Sequence, residues 1–164
     1  MLHNNVQSGA TRAIDLGLLE TLVGYGVRRL QLKVFDDFLR SLRPWSMTPA
    51  RFSALVIIEK NPDLKLTELA RVLGVARSGA VTLVDALEEP GYVARHASPT
   101  DGRAFGLRIT AKGKNALAKM SAAVEAHDRR MTAALSVAER VQLKELLDRV
   151  LDSESKWEAT EDAR

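Results

Sequence analysis

Residues 66–88 read LTELARVLGVARSGAVTLVDALE, and this stretch decides the fold. Thr67 is placed to cap a short helix over residues 68–73. Gly74, Val75 and Ala76 turn the chain, because glycine takes a positive φ without steric cost. A second helix is expected over residues 77–88. Two helices that cross steeply need a small residue at their contact, and Ala70 supplies it. Along the second helix Ala80, Leu83, Val84 and Leu87 recur at i, i+3, i+4 and i+7, which is the inner stripe of a half-buried helix. Arg77, Ser78, Val81, Thr82, Asp85 and Ala86 are left on the outer face. Donors and a methyl-bearing residue come early on that face, and its acids come late. This order suits a helix entering a major groove by its N-terminus, away from which acids do least harm against phosphates. An ordinary corner of two core helices has the same spacing, so the pair alone leaves both readings open.

The next stretch separates them. Pro90-Gly91 stops the second helix. Residues 92–97 and 104–109 alternate as short strands around Ser98-Pro99-Thr100-Asp101-Gly102, which is turn chemistry. Arg103 follows at the tip. A hairpin this small cannot stand as a sheet of its own and must lean on the helices before it. Residues 92–114 carry five cations (Arg95, Arg103, Arg108, Lys112, Lys114) and one acid (Asp101), a net charge of +4 in a chain whose total is +3. The positive excess therefore sits on and just after the hairpin, as an electrostatic footprint for a polyanion. A solvated basic hairpin is the plainer reading of the same charge.

Outward from this centre the pattern is helical. Toward the N-terminus, Thr48-Pro49 is a cap followed by proline at the first helical position, and the helix it starts runs to about residue 60. Asn61-Pro62-Asp63 is a turn. Residues 11–42 carry two apolar stripes at helical spacing, so one long helix touching two bodies is expected, with close packing or a bend at Gly24 and Gly26. The first ten residues read as a frayed arm. Toward the C-terminus, Thr110 caps a helix expected to reach about residue 135. Ser136 opens the last helix, with Glu139 completing a capping box. Past Asp152 the acidic tail is expected to lack structure.

Composition narrows the function. The chain has 164 residues, 46% of them hydrophobic, enough for one domain or two joined lobes. It has no cysteine, and its three histidines (His3, His96, His127) are isolated in sequence. No thiolate site, metal site or nucleophile–base pair is indicated, no glycine-rich phosphate loop occurs, and no enzyme activity or cofactor is expected. No apolar run approaches the ~20 residues of a membrane span, and no signal peptide is evident, so a cytoplasmic protein without a membrane partner is expected.

Residues 66–113 resemble the DNA-binding core of the MarR family of regulators. The most specific signature is the wing, S-P-x-D-x-R followed by a strand ending L-x-[LI]-T-x-x-G. Ser98, Pro99, Asp101, Arg103, Leu107, Ile109, Thr110 and Gly113 match it. The helix order matches too, over about residues 12–152. The resemblance implies a mainly α protein with a small β-hairpin wing: a winged helix-turn-helix with long N- and C-terminal dimerisation helices. The implied divisions are residues 1–47 (arm and dimerisation helix), 48–110 (winged lobe) and 111–164 (C-terminal dimerisation helices and acidic tail). It implies a homodimer on a pseudo-palindromic double-stranded operator. Arg77, Ser78, Val81, Thr82 and Arg95 would contact DNA, Arg103 would enter the minor groove, and Asp101 would hold the tip. On the outer face the family often carries hydroxyl or basic residues where this chain has Gly79, Val81 and Thr82, so base preference does not carry over. Paired apolar segments, Ile14, Leu16, Leu18, Leu19 and Leu22 with Leu143, Leu146, Leu147, Val150 and Leu151, agree with a dimer independently. The family further implies a repressor released by a small aromatic carboxylate or an aromatic acyl-coenzyme A. Tyr25, Arg28, Arg29, Phe38, Trp45 and Arg51 are the expected ligand contacts. A winged helix used only for protein contacts would need no cationic excess, and the net charge of +4 speaks against it.

Overall fold

The computed structural model describes residues 14–97 and 105–161, with residues 153–161 as backbone alone. It forms two compact units, Met1–Val34 and Phe35–Arg164.

In the first unit the Asp15 carboxylate accepts a hydrogen bond from the Gly17 N–H at 2.8 Å. A single 3-10 turn, Gly17–Thr21, follows, and Leu22 is extended. Helix α1 (Val23–Ser41) begins only after this break. The uninterrupted helix expected from residue 11 is thus corrected: a local side-chain-to-backbone bond competes with helix propagation at Asp15. The expected residues 11–13, and the arm before them, lie outside the described residues. Gly24 and Gly26 lie inside α1, and a Cβ added at either would meet nothing within 4 Å. Of the close packing or bend expected there, no close packing is found among the described residues.

The second unit holds the core. Helix α2 (Pro49–Lys60) starts as its sequence predicts, with the Thr48 hydroxyl accepting from the Arg51 N–H at 3.3 Å. Strand β1 (Leu64–Lys65) leads directly into α3 (Leu66–Leu73). The helix starts two residues earlier than expected and Thr67 is not its cap. Instead Glu68 reaches back and accepts from the Lys65 N–H at 2.8 Å. Gly74 then takes φ 63° and its N–H closes the last turn on Ala70 and Arg71. Helix α4 (Arg77–Glu88) has the boundaries read from sequence. Strands β2 (Val93–Ala97) and β3 (Phe105–Ile109) pair antiparallel, with Val93 opposite Ile109 and Arg95 opposite Leu107. The hairpin gains a third strand that the sequence pattern missed: β1 adds to β3, giving the order β1-β3-β2. Helices α5 (Ala111–Met131) and α6 (Val137–Glu161) complete the unit. Met131 ends α5 four residues before the expected stop. The α6 backbone continues past Asp152 to Glu161, correcting the expected unstructured tail. Residues 153–161 contain neither proline nor glycine, and three of the nine are Glu, which favours helix.

Leu55 and Ile58 of α2, Leu69 of α3, Val84 and Leu87 of α4, Leu107 of β3 and Met120 of α5 are fully buried and meet in one core. Ala70 of α3 is buried. The wing motif also has a structural cause. Thr110 caps α5 by accepting from the Gly113 N–H at 2.9 Å, and its hydroxyl donates to Gly91 O at 2.7 Å. The Thr110 N–H in turn donates to Tyr92 O at 2.9 Å. These bonds draw the first turn of α5 against the start of β2. A Cβ on residue 113 would lie 2.1 Å from Tyr92 O, so only glycine fits.

A second junction joins the last turns of α1 and α5. The His127 Nδ1–H donates to Asp37 Oδ2 at 2.7 Å, and Arg130 donates to the same oxygen at 2.9 Å. His127 is 5% exposed and stands edge-on to the Phe38 ring. The His127 hydrogen bond, then the Arg130 one, hold the Asp37 carboxyl down at about 2. A depressed carboxylate stabilises the fold above its unfolded value and loses that contribution as pH falls through its folded value. The difference in melting temperature between wild type and Asp37→Asn is therefore expected to narrow as pH falls from about 4, the unperturbed range, toward about 2. A difference that stays constant across that window would contradict this assignment.

Candidate nucleic-acid interface and ligand cleft

The outer face of α4 is built as the sequence predicts. Its inner stripe, Ala80, Val84 and Leu87, is fully buried, and Leu83 is half-buried. That packing fixes the rotation of the helix and leaves Arg77, Ser78 and Thr82 exposed with Val81 half-exposed between them. The Thr82 hydroxyl donates to Ser78 O at 3.2 Å, which leaves its methyl and its oxygen lone pairs outward. Arg77, at the N-terminal end, makes no ion pair among the described residues. Its guanidinium is thus available to a phosphate or a guanine edge, and the helix dipole adds positive potential there.

The wing cations divide differently from what their count suggests. Arg95 donates to Asp85 Oδ1 at 2.7 Å and to Glu88 Oε2, both on α4. Arg108 makes a two-pronged bond to Asp63, Nε to Oδ1 at 2.8 Å and Nη2 to Oδ2 at 2.6 Å. The Asp63 carboxyl is held below the usual carboxylate range, chiefly by that hydrogen bond, and the Arg108 guanidinium is raised by the same contact. His96 Nε2 lies 2.8 Å from Asp63 Oδ1 on the same cluster. Two of the five cations in residues 92–114 therefore face acids brought in from elsewhere in the chain. Their sequence separations from Asp63 and Asp85 hid this. Asp101 and Arg103, with Ser98, Pro99 and the turn, lie outside the described residues.

The expected ligand contacts are partly brought together. Trp45 and Arg51 line one cleft of about 390 Å3 with Met47, Ala86, Glu89 and Tyr92. Arg51 donates to Ser46 O at 3.1 Å, which holds its guanidinium toward the loop before α2. Phe38 is a core residue, 7% exposed, packed edge-on against Phe52 with ring centroids 6.0 Å apart. Tyr25, Arg28 and Arg29 belong to the first unit. There the Arg29 guanidinium sits 5.9 Å from the centre of the Tyr25 ring, and Arg28 donates to Gln31 at 3.4 Å. Among the described residues no group of histidine and carboxylate side chains could hold a metal ion, and no helix is long and apolar enough to cross a membrane.

Two helices, α3 and α4, joined through the turn at Gly74 and followed by a β-hairpin that pairs with a strand before the first of them, define a winged helix-turn-helix. The MarR family model matches residues 45–104. A protein of Thauera aromatica described as the putative transcriptional regulatory protein for the hcr operon is 38% identical over 138 residues, 84% of this chain and 83% of that one. The chain belongs to the MarR family of transcriptional regulators. Among solved structures, the transcriptional repressor CouR bound to a 23-mer DNA duplex superimposes with a TM-score of 0.81 at 38% identity, covering 85% of this chain and 99% of that one. CouR bound to p-coumaroyl-CoA gives 0.77 at 36% identity, covering 85% and 98%. These relatives are described as transcriptional regulators and repressors, not as enzymes.

Proposed function

We propose that the chain is a homodimeric repressor that binds a pseudo-palindromic duplex through two copies of α4 and releases it on binding an aromatic anion or an aromatic acyl-coenzyme A. The observation that carries the DNA reading is the outer face of α4, where Arg77, without an ion pair among the described residues, precedes Ser78, Val81 and Thr82 on a helix whose rotation the core fixes. Arg103 supplies a further cation for the minor groove and Asp101 its support, on the strength of the wing motif. The dimer reading rests on apolar side chains left in the open on α1 and α6: Val27 is 50% exposed, Phe35 47%, Val141 54% and Val150 63%. A monomer surface rarely carries such stripes. On this reading residues 1–47 and 111–164 serve dimerisation and residues 48–110 serve DNA.

The ligand reading rests on the cleft beside α4, where the Trp45 ring and the Arg51 guanidinium offer a flat wall and a fixed cation. Tyr25, Arg28 and Arg29 are proposed as ligand contacts on the strength of the family resemblance alone, the arginines having the chemistry to meet a carboxylate or a phosphate. CouR's complex with p-coumaroyl-CoA makes an aromatic thioester the first ligand to test. Addition of p-coumaroyl-CoA or salicylate is expected to weaken duplex binding by roughly 5- to 150-fold, the usual span of coupling between two sites. Trp45→Ala and Arg51→Ala are expected to bind duplex like wild type and to lose the ligand effect. Unchanged ligand response in both variants would remove the cleft from the account while leaving the DNA reading intact.

A further inference from the structure

The outer face of α4 ends in acids. Asp85 and Glu88 lie on the stretch that follows Val81 and Thr82, and free carboxylates there would repel the phosphates that flank a groove. Arg95, on the neighbouring strand β2, reaches both. Its Nη2 donates to Asp85 Oδ1 at 2.7 Å, its Nη1 donates to Glu88 Oε2, and its backbone N–H donates to Glu88 Oε1 at 2.9 Å. Its side chain is about one-third exposed. Three bonds thus tie the first wing strand to the last turn and a half of α4. A planar guanidinium with two of its nitrogens engaged has a fixed direction, whereas a single ammonium contact would leave it free to swing.

We propose that Arg95 is a positioning residue rather than a DNA contact: by bridging Asp85 and Glu88 it sets the wing at a fixed angle to α4 and cancels the acids on that helix. This rests on the reading of α4 as the DNA-facing helix. The wing tip and the recognition face must meet adjacent grooves together, so the strut between them governs discrimination between sequences. Arg77, which has no ion pair among the described residues, carries the phosphate or base contact that Arg95 does not.

The two roles predict opposite signs for one experiment. The probes are a duplex selected by the wild-type protein from a random-sequence pool and a scrambled duplex of the same composition. Asp85→Asn combined with Glu88→Gln removes both negative charges, and with them the charge-assisted bonds that fix the Arg95 guanidinium, at little change in side-chain volume. If Arg95 is a strut, this variant binds the selected duplex roughly 3- to 30-fold more weakly, as for contacting groups that act as a unit, and its preference over the scrambled duplex shrinks. Arg95→Met gives a loss at least as large, since it also leaves Asp85 and Glu88 uncancelled, and the three substitutions together are no worse than Arg95→Met alone. If Arg95 is instead a phosphate contact held back by the acids, the Asp85→Asn/Glu88→Gln variant binds both duplexes more tightly than wild type, and the proposal is overturned. Asp85→Asn alone, on a side chain 58% exposed, repeats the test where folding is not at risk, and melting curves check all variants. Wild-type protein that selects no duplex from the pool overturns the reading of α4 itself, a result distinct from either sign above.

Discussion

Gly113→Ala is expected to unfold or severely destabilise the winged lobe. The added carbon would lie 2.1 Å from Tyr92 O, 2.9 Å from Tyr92 C and 2.7 Å from Ile109 Cγ1. Two of these are backbone atoms at the start of β2, pinned by the bond from the Thr110 N–H. Relief requires α5 to move away from the sheet as a body. That motion breaks the Thr110 cap and opens the contact beside Leu117 and Met120, which are buried in the core. Overpacking typically costs ~1–3 kcal/mol, and a clash with the Tyr92 backbone, which cannot turn aside as a side chain can, belongs at or above the top of that range. Against a total stability of ~5–15 kcal/mol this is a large fraction. Thermal melts followed by circular dichroism measure it. A variant melting at the wild-type temperature would show that α5 slides freely and that the wing motif's glycine has another cause.

The second large effect concerns assembly. Val141, Leu147 and Val150 stand exposed on α6, 54%, 41% and 63%. Placing glutamate at Leu147 and Val150 is expected to leave the winged lobe folded and to yield a monomer by sedimentation at micromolar concentration. Two recognition helices on one duplex act as linked sites, so separating them is expected to weaken operator binding by about 100- to 10,000-fold. Retention of a dimer in the doubly substituted protein would place the interface elsewhere. Retention of full DNA affinity in a monomer would sink the two-fold reading altogether.

How far the sequence showed these features depends on the range of the forces involved. Helix α4 was legible to the residue because its signals are local: Gly74 before it, an inner stripe at helical spacing within it, Pro90-Gly91 after it. The Thr48 cap and the Ser136–Glu139 box were legible for the same reason, and the Ser136 N–H indeed donates to Glu139 at 2.7 Å. Strand β1 was not, since two residues carry no periodicity and Leu64–Lys65 is a strand only because β3 lies beside it. The break at Leu22 was hidden under apolar residues that continue the helical pattern across it. The ion-paired clusters were the least visible. Asp63 meets Arg108 across 45 positions and Asp37 meets His127 across 90, distances at which sequence spacing says nothing. This changes the reading of the candidate site, because Arg95 and Arg108 counted as free cations in sequence and are paired in the fold. On the outer face of α4, Arg77, Ser78 and Thr82 are exposed as their spacing opposite the core stripe implies, while Val81 and Ala86 are half-buried and Asp85 is paired with Arg95.

That face is the centre of the functional account, and one measurement tests it most directly. A duplex selected by the wild-type protein is titrated with wild type and with a variant carrying Arg77→Ala, Ser78→Ala, Val81→Ala and Thr82→Ala, across a range of salt concentrations. Every replaced side chain is outside the buried stripe, so the variant is expected to fold and dimerise normally. The account predicts that wild-type binding falls steeply with salt, that the variant loses sequence preference, and that the slope of log K against log salt flattens by up to about one unit if Arg77 meets a phosphate. Equal affinity, equal sequence preference and equal salt slope for the two proteins would contradict it.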